Sequence, residues 1–144
     1  MNRELPAAVR REISVVSAEA QAIERQDVAA AVARWRDAVD LLPGDATQWR
    51  AYSALWSTIG DALYTGGDND AAAQAFQVAL RGTDCDEAYL RFMLAKASVQ
   101  LGDLDRATDE LRTVYAIDGS DMFDDDHEGT AMWSLLEPSL LLAA

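Results

Sequence analysis

Between residues 121 and 132 the chain reads DMFDDDHEGTAM: four aspartates, one glutamate and the only histidine in the sequence, with Met122 and Phe123 set among them. Carboxylates at this density could hold a cation, do general acid and base work, or attract a basic macromolecule. For calcium, Asp124, Asp126, Glu128 and Gly129 fall at positions 1, 3, 5 and 6 of an EF-hand-like loop, where oxygen ligands and a turn glycine belong. Position 12 is Leu135, so the closing bidentate carboxylate is missing. A transition-metal site needs several nitrogen or sulfur ligands converging, and one histidine with the distant Cys85 does not supply them. No metal and no cofactor is expected. Acid and base catalysis would use two carboxylates in a closed pocket with separated pKa values, whereas the six acids between residues 118 and 128 fall in a polar connection between helices. There is no G-x-S-x-G, no phosphate-cradling glycine loop and no paired His and Cys, so no catalytic residue is expected and the chain reads as a non-enzyme.

Two readings of the cluster remain: a solvated loop that keeps the protein soluble, or a surface that a partner reads. Acids around an apolar pair suit a basic protein, because complementary charge speeds encounter while desolvated apolar anchors hold the complex. The formal net charge of -13 agrees, since such a field repels nucleic acid and anionic membranes and attracts basic proteins. Residues 1 to 20 alternate Arg3, Arg10 and Arg11 with Glu4, Glu12 and Glu19 and contain no continuous apolar core, so no signal peptide is read there. The closing LEPSLLLAA is far too short to span a bilayer. With the lone Cys85 excluding an internal disulfide, a cytoplasmic location is expected.

The elements that must position this cluster show a repeat. LYTGGDNDAAAQAFQVAL (63–80) is echoed by SVQLGDLDRATDELRTVY (98–115), a shift of 35 residues, about one helical hairpin. In both copies a Gly-Asp pair (Gly67-Asp68, Gly102-Asp103) closes one helix and opens the next, glycine suiting the left-handed end and aspartate the helix N-terminus. Apolar residues then recur at helical spacing: Ala72, Phe76, Ala79 and Leu80 in one copy, Ala107, Leu111, Val114 and Tyr115 in the other. Upstream, Trp49, Tyr52, Trp56, Ile59 and Leu63 predict one long helix over about 46–65, and Leu90, Leu94, Ala97 and Leu101 another. Val9, Ile13, Val16, Ala20 and Ile23 form a first N-terminal stripe; Val28, Val32, Trp35, Val39 and Leu42 form a second, stopped by Pro43-Gly44. Trp35, Trp49 and Trp56 are read as core. The expectation is all-α: a single domain over residues 1–144 with helix pairs at about 5–42, 46–82 and 86–117, an acidic connection at 118–129 and a cap at 130–144 interrupted by Pro138.

Trp56, Ile59, Gly60, Leu63, Ala72, Phe76 and Ala79 fit the pattern of the tetratricopeptide repeat, which the chain resembles. A later frame takes Leu94, Ala95, Ala107, Leu111 and Val114, and the first pair supplies Ala31, Trp35, Ala38 and Pro43. The resemblance implies an antiparallel helix-hairpin solenoid of three tetratricopeptide-like pairs with a C-terminal capping helix. Gly60 against Ala72, and Ala95 against Ala107, would let backbones approach closely. The chain departs from the family in its over-long middle helix, in Gln26 where the other pairs have glycine, and in the absence of proline at Asp84 and Gly119. More narrowly, residues 46–126 are similar to small helical-repeat proteins encoded beside bacterial polymorphic toxins and regarded as their immunity proteins. The likeness lies in the order of parts: a tryptophan-bearing helix, two Gly-Asp turns, Asp109-Glu110-Leu111 with Tyr115, then Met122, Phe123 and the acid run. Such relatives continue with a lysine and an aromatic, where this chain has His127-Glu128-Gly129.

This resemblance implies an immunity protein that covers a basic toxin domain, with Asp121, Met122, Phe123, Asp124, Asp125, Asp126 and Glu128 as one contact surface. The repeat family's inward-facing positions carry over to Arg50, Asp61, Tyr64, Tyr89, Phe92 and Lys96, which the alternative reading, a secretion chaperone or general scaffold, would use to cradle a peptide. Packing against a neighbouring helix is the plain alternative for each of these six.

Overall fold

In the computed structural model, which describes residues 4–143, the chain is all-α, with eight helices, a 3-10 turn and no strand among the described residues. Arg3 and the last alanine of LLLAA lie outside the described residues. The chain divides into two compact units, Met1–Cys85 and Asp86–Ala144, the boundary falling between the second and third helix pairs.

In the first unit, α1 (Ala7–Ile23) packs on α2 (Val28–Asp40), α2 on α3 (Arg50–Thr65), and α3 on α4 (Asn69–Ala79). The shared core takes Val16 and Ala20 from α1, Ala31, Trp35 and Ala38 from α2, Leu55, Ile59 and Ala62 from α3, and Ala75 from α4. Val16, Ala20, Trp35 and Ile59 are periodic positions read from the sequence, and Ala31 and Ala38 are positions of the repeat resemblance, whereas Leu55, Ala62 and Ala75 were not among the expected core residues. The long helix expected over 46–65 is broken at its start. Asp45 accepts hydrogen bonds from the Thr47 backbone N–H (3.1 Å) and hydroxyl (2.7 Å), closing the 3-10 turn Ala46–Gln48, and Trp49 follows in extended geometry. A short polar side chain here outcompetes the helical ladder. The Trp49 indole N–H then donates to the Pro43 carbonyl at 2.8 Å, within a second small core of Leu42, Trp49 and Tyr52. Trp56 is only half-buried, with the Arg36 guanidinium 5.7 Å from its ring centre.

The two Gly-Asp turns share one hydrogen-bond scheme. Gly67 N–H reaches the Tyr64 carbonyl and Asp68 N–H the Leu63 carbonyl; Gly102 N–H reaches Val99 and Asp103 N–H reaches Ser98. This double closure requires a left-handed residue, and the glycines sit at φ 86° and 80°. Asp68 and Asp103 then accept from Ala71 and Arg106 N–H, each at 3.2 Å, so one aspartate ends a helix and caps the next. At Gly60 the missing side chain makes room for a ring. A Cβ there would meet the buried Phe76 ring at 2.5 Å, so only glycine leaves the ring its place.

In the second unit, α5 (Glu87–Gln100) packs on α6 (Leu104–Asp118), and two further helices complete it, α7 (Asp121–Asp125) and α8 (Gly129–Ala143). The acidic stretch expected as a plain connection thus contains a helix of its own, entered through Gly119 at φ 64°. Pro138 lies inside α8 without ending it, since its fixed φ is helical and the cost is confined to one backbone bond and local crowding. The core joins Phe92 and Ala95 of α5, Ala107, Leu111 and Val114 of α6, Phe123 of α7, and Met132 and Leu136 of α8. No helix among the described residues is long and apolar enough to cross a membrane.

Candidate functional site

The acid run is held by a lysine thirty residues earlier in the chain. Lys96 points from α5 with its side chain 5 % exposed, and its Nζ lies 3.1 Å from Asp126 Oδ2 and 3.2 Å from Glu128 Oε1. The Glu128 backbone N–H donates to Asp126 Oδ1 at 2.7 Å. Burial alone would push the Asp126 carboxyl up, but that N–H and the Lys96 ammonium hold it below the ordinary carboxylate value. A charge taken this far from water is stable only when paired, and here two carboxylates pair it. Gly129 completes the corner: a Cβ there would sit 1.9 Å from the Phe123 carbonyl oxygen, so only glycine lets α8 start this close to α7. In the EF-hand-like frame Asp126 and Glu128 therefore face an ammonium, and Gly129 serves a close approach.

Below α7, Phe123 is 5 % exposed and packs edge-on against Phe92, with ring centres 5.4 Å apart, and against Trp133 at 5.2 Å. Trp133 also lies 5.9 Å from Tyr115, and its indole N–H donates to Glu137 at 2.6 Å. Met122 is half-buried against the same core. Above this floor Asp121, Asp124 and Asp125 are exposed, and no hydrogen bond or ion pair engages their carboxylates among the described residues. Between α7 and α8 an open cavity of about 270 Å³ is lined by Ser120, Phe123, Asp124, Thr130 and Trp133.

The contact surface expected from the sequence thus divides. Phe123, Asp126 and Glu128 face inward and hold α7 in place, Asp121, Asp124 and Asp125 face solvent, and Met122 sits at the border. Among the inward-facing repeat positions, Phe92 and Lys96 are both buried and are covered by α7, the very segment expected to act beside them. Tyr89, Asp61 and Tyr64 are half-buried and none lacks a partner. Arg50 is exposed, its Nε 2.9 Å from Asp84. Sequence reasoning missed Ser120, Thr130 and Trp133 as neighbours of the acids. Their only sign was the four-residue step from Thr130 to Ser134 and Trp133 beside it, which marks a helix face but not what that face meets. It also missed Arg91, which bridges Glu110 (2.8 Å) and Glu87 (2.9 Å); both raise its pKa, Glu110 more.

No protein-family model matches the chain, and no curated protein matches it.

Proposed function

We propose that this chain is a non-catalytic, cytoplasmic protein-binding module of degenerate tetratricopeptide-like hairpins, acting as an immunity protein that covers a basic toxin domain. The observation that carries the reading is the set of three uncommitted carboxylates, Asp121, Asp124 and Asp125, on a helix braced from beneath by Phe123 and the Lys96 ion pairs. A braced acidic helix on a molecule of net charge -13 offers preorganised charge to a cationic surface and loses little freedom on binding. For a nuclease toxin, the acids would occupy the place of the phosphates it expects. The repeat reading is supported by the matched Gly-Asp turns and by complete burial of Ala72, Phe76, Ala95 and Ala107. The peptide-groove alternative loses Phe92, one of its apolar anchors, to the core.

The test is association with the protein encoded by the adjacent gene, followed by stopped flow across ionic strengths. Replacing Asp121, Asp124 and Asp125 together by asparagine should slow association by roughly tenfold at low salt and flatten its salt dependence. Unchanged rate and unchanged salt slope would remove this helix from the encounter surface.

A further inference from the structure

Resting on the reading that the partner is a basic protein, we infer that the cavity between α7 and α8 seats one arginine side chain of that partner. Its guanidinium would lie against Trp133 and be hydrogen-bonded by Asp124. The lining residues are of the types a guanidinium needs: Phe123 and Trp133 are aromatic, Asp124 carries a carboxylate, and Ser120 and Thr130 carry hydroxyls. A planar cation stacks on an aromatic surface while its edge N–H groups reach a carboxylate and hydroxyls, a combination that a lysine ammonium cannot match. About 270 Å³ leaves room for the head and part of its stem. The Trp133 indole N–H is already committed to Glu137 at 2.6 Å, so the ring and not its polar edge is offered.

The pocket is preformed. Phe123 is wedged between Phe92 and Trp133, Trp133 is braced by Tyr115, and the corner that carries Thr130 is fixed by Gly129 and the Lys96 ion pairs. Asp124 and Asp125 carry equal charge on the same helix, yet only Asp124 lines the cavity. A diffuse field would feel both alike; a pocket distinguishes them.

The experiment is an NMR titration of the full-length protein with N-acetyl-arginine amide, and in parallel with N-acetyl-lysine amide. The arginine probe should shift the Trp133 ring and Thr130 signals saturably, with a Kd on the order of millimolar for so small a ligand. Asp124→Asn should weaken it roughly tenfold, Thr130→Val about threefold, and Asp125→Asn less than about twofold. The lysine probe should bind several-fold more weakly. Shifts that do not saturate, equal effects of the Asp124 and Asp125 changes, or equal binding of the two probes would each overturn the assignment. A salt-sensitive association with the basic protein, together with a silent arginine titration, refutes the pocket alone. Saturable arginine binding in a protein whose association ignores Asp121, Asp124 and Asp125 leaves an arginine pocket but refutes both the encounter surface and the use of that pocket by the partner.

Discussion

At Lys96 an ammonium 5 % exposed meets two half-buried carboxylates. Such a cluster contributes little net stability when intact, but breaking one side leaves charge without its counterion. Lys96→Met should therefore lower unfolding free energy by about 1–3 kcal/mol in urea titration, the lower end reflecting the partial exposure of both acids. Adding Asp126→Asn and Glu128→Gln to that variant should recover most of the loss. The Asp126 carboxyl also predicts a pH dependence. Its folded pKa lies below the unfolded value, so its contribution is fully present above about pH 4 and is lost as pH falls through the lower folded value. Asp126→Asn should be less stable than wild type at neutral pH, and the two unfolding curves should converge in acid.

At the scale of elements, the hairpins depend on positions where a side chain has no room or no allowed φ. Gly102, at φ 80°, ends α5 in the left-handed region, and a Cβ there meets nothing within 4 Å, so Gly102→Ala costs backbone strain alone, about 1 kcal/mol. Asp103→Ala removes the cap of α6 and should cost about the same. Gly60→Ala is different in kind, because the new methyl would strike the Phe76 ring at 2.5 Å. A loss of about 1–3 kcal/mol is expected from overpacking, with partial relief when Phe76→Leu is added. Differences in urea midpoints separate the two kinds, since only the steric clash responds to a smaller neighbour.

At the scale of the whole molecule, net charge -13 governs encounter rather than folding. Association of the wild type with a cationic partner should slow steeply as the Debye length falls from about 30 Å at 0.01 M salt to about 8 Å at physiological salt. Removing the three outward acids of α7 should reduce that slope more than removing Asp103 and Asp105, which sit at the start of α6. A stopped-flow series at several salt concentrations checks this.

Much of the architecture was legible because its causes are local. Helix periodicity follows from spacings of three and four residues, and Gly67-Asp68 and Gly102-Asp103 carry in two letters both the left-handed closure and the next cap. The break at Trp49 was not legible, because Asp45 with Thr47 competes with an apolar pattern that runs on unbroken. Nor did the pattern around Pro138 show that α8 would run through it. The division of the acid run was equally hidden. Asp124, Asp125 and Asp126 are identical letters in a row, and what separates them is which one meets an ammonium from α5. That depends on α7 folding back over Phe92, which sets Asp126 against Lys96 thirty residues earlier in the sequence, a contact no local spacing encodes. By itself, then, the sequence determined helices, turns and total charge, which are properties of neighbours and sums; only tertiary structure decided which carboxylates pair with Lys96 inside and which face solvent.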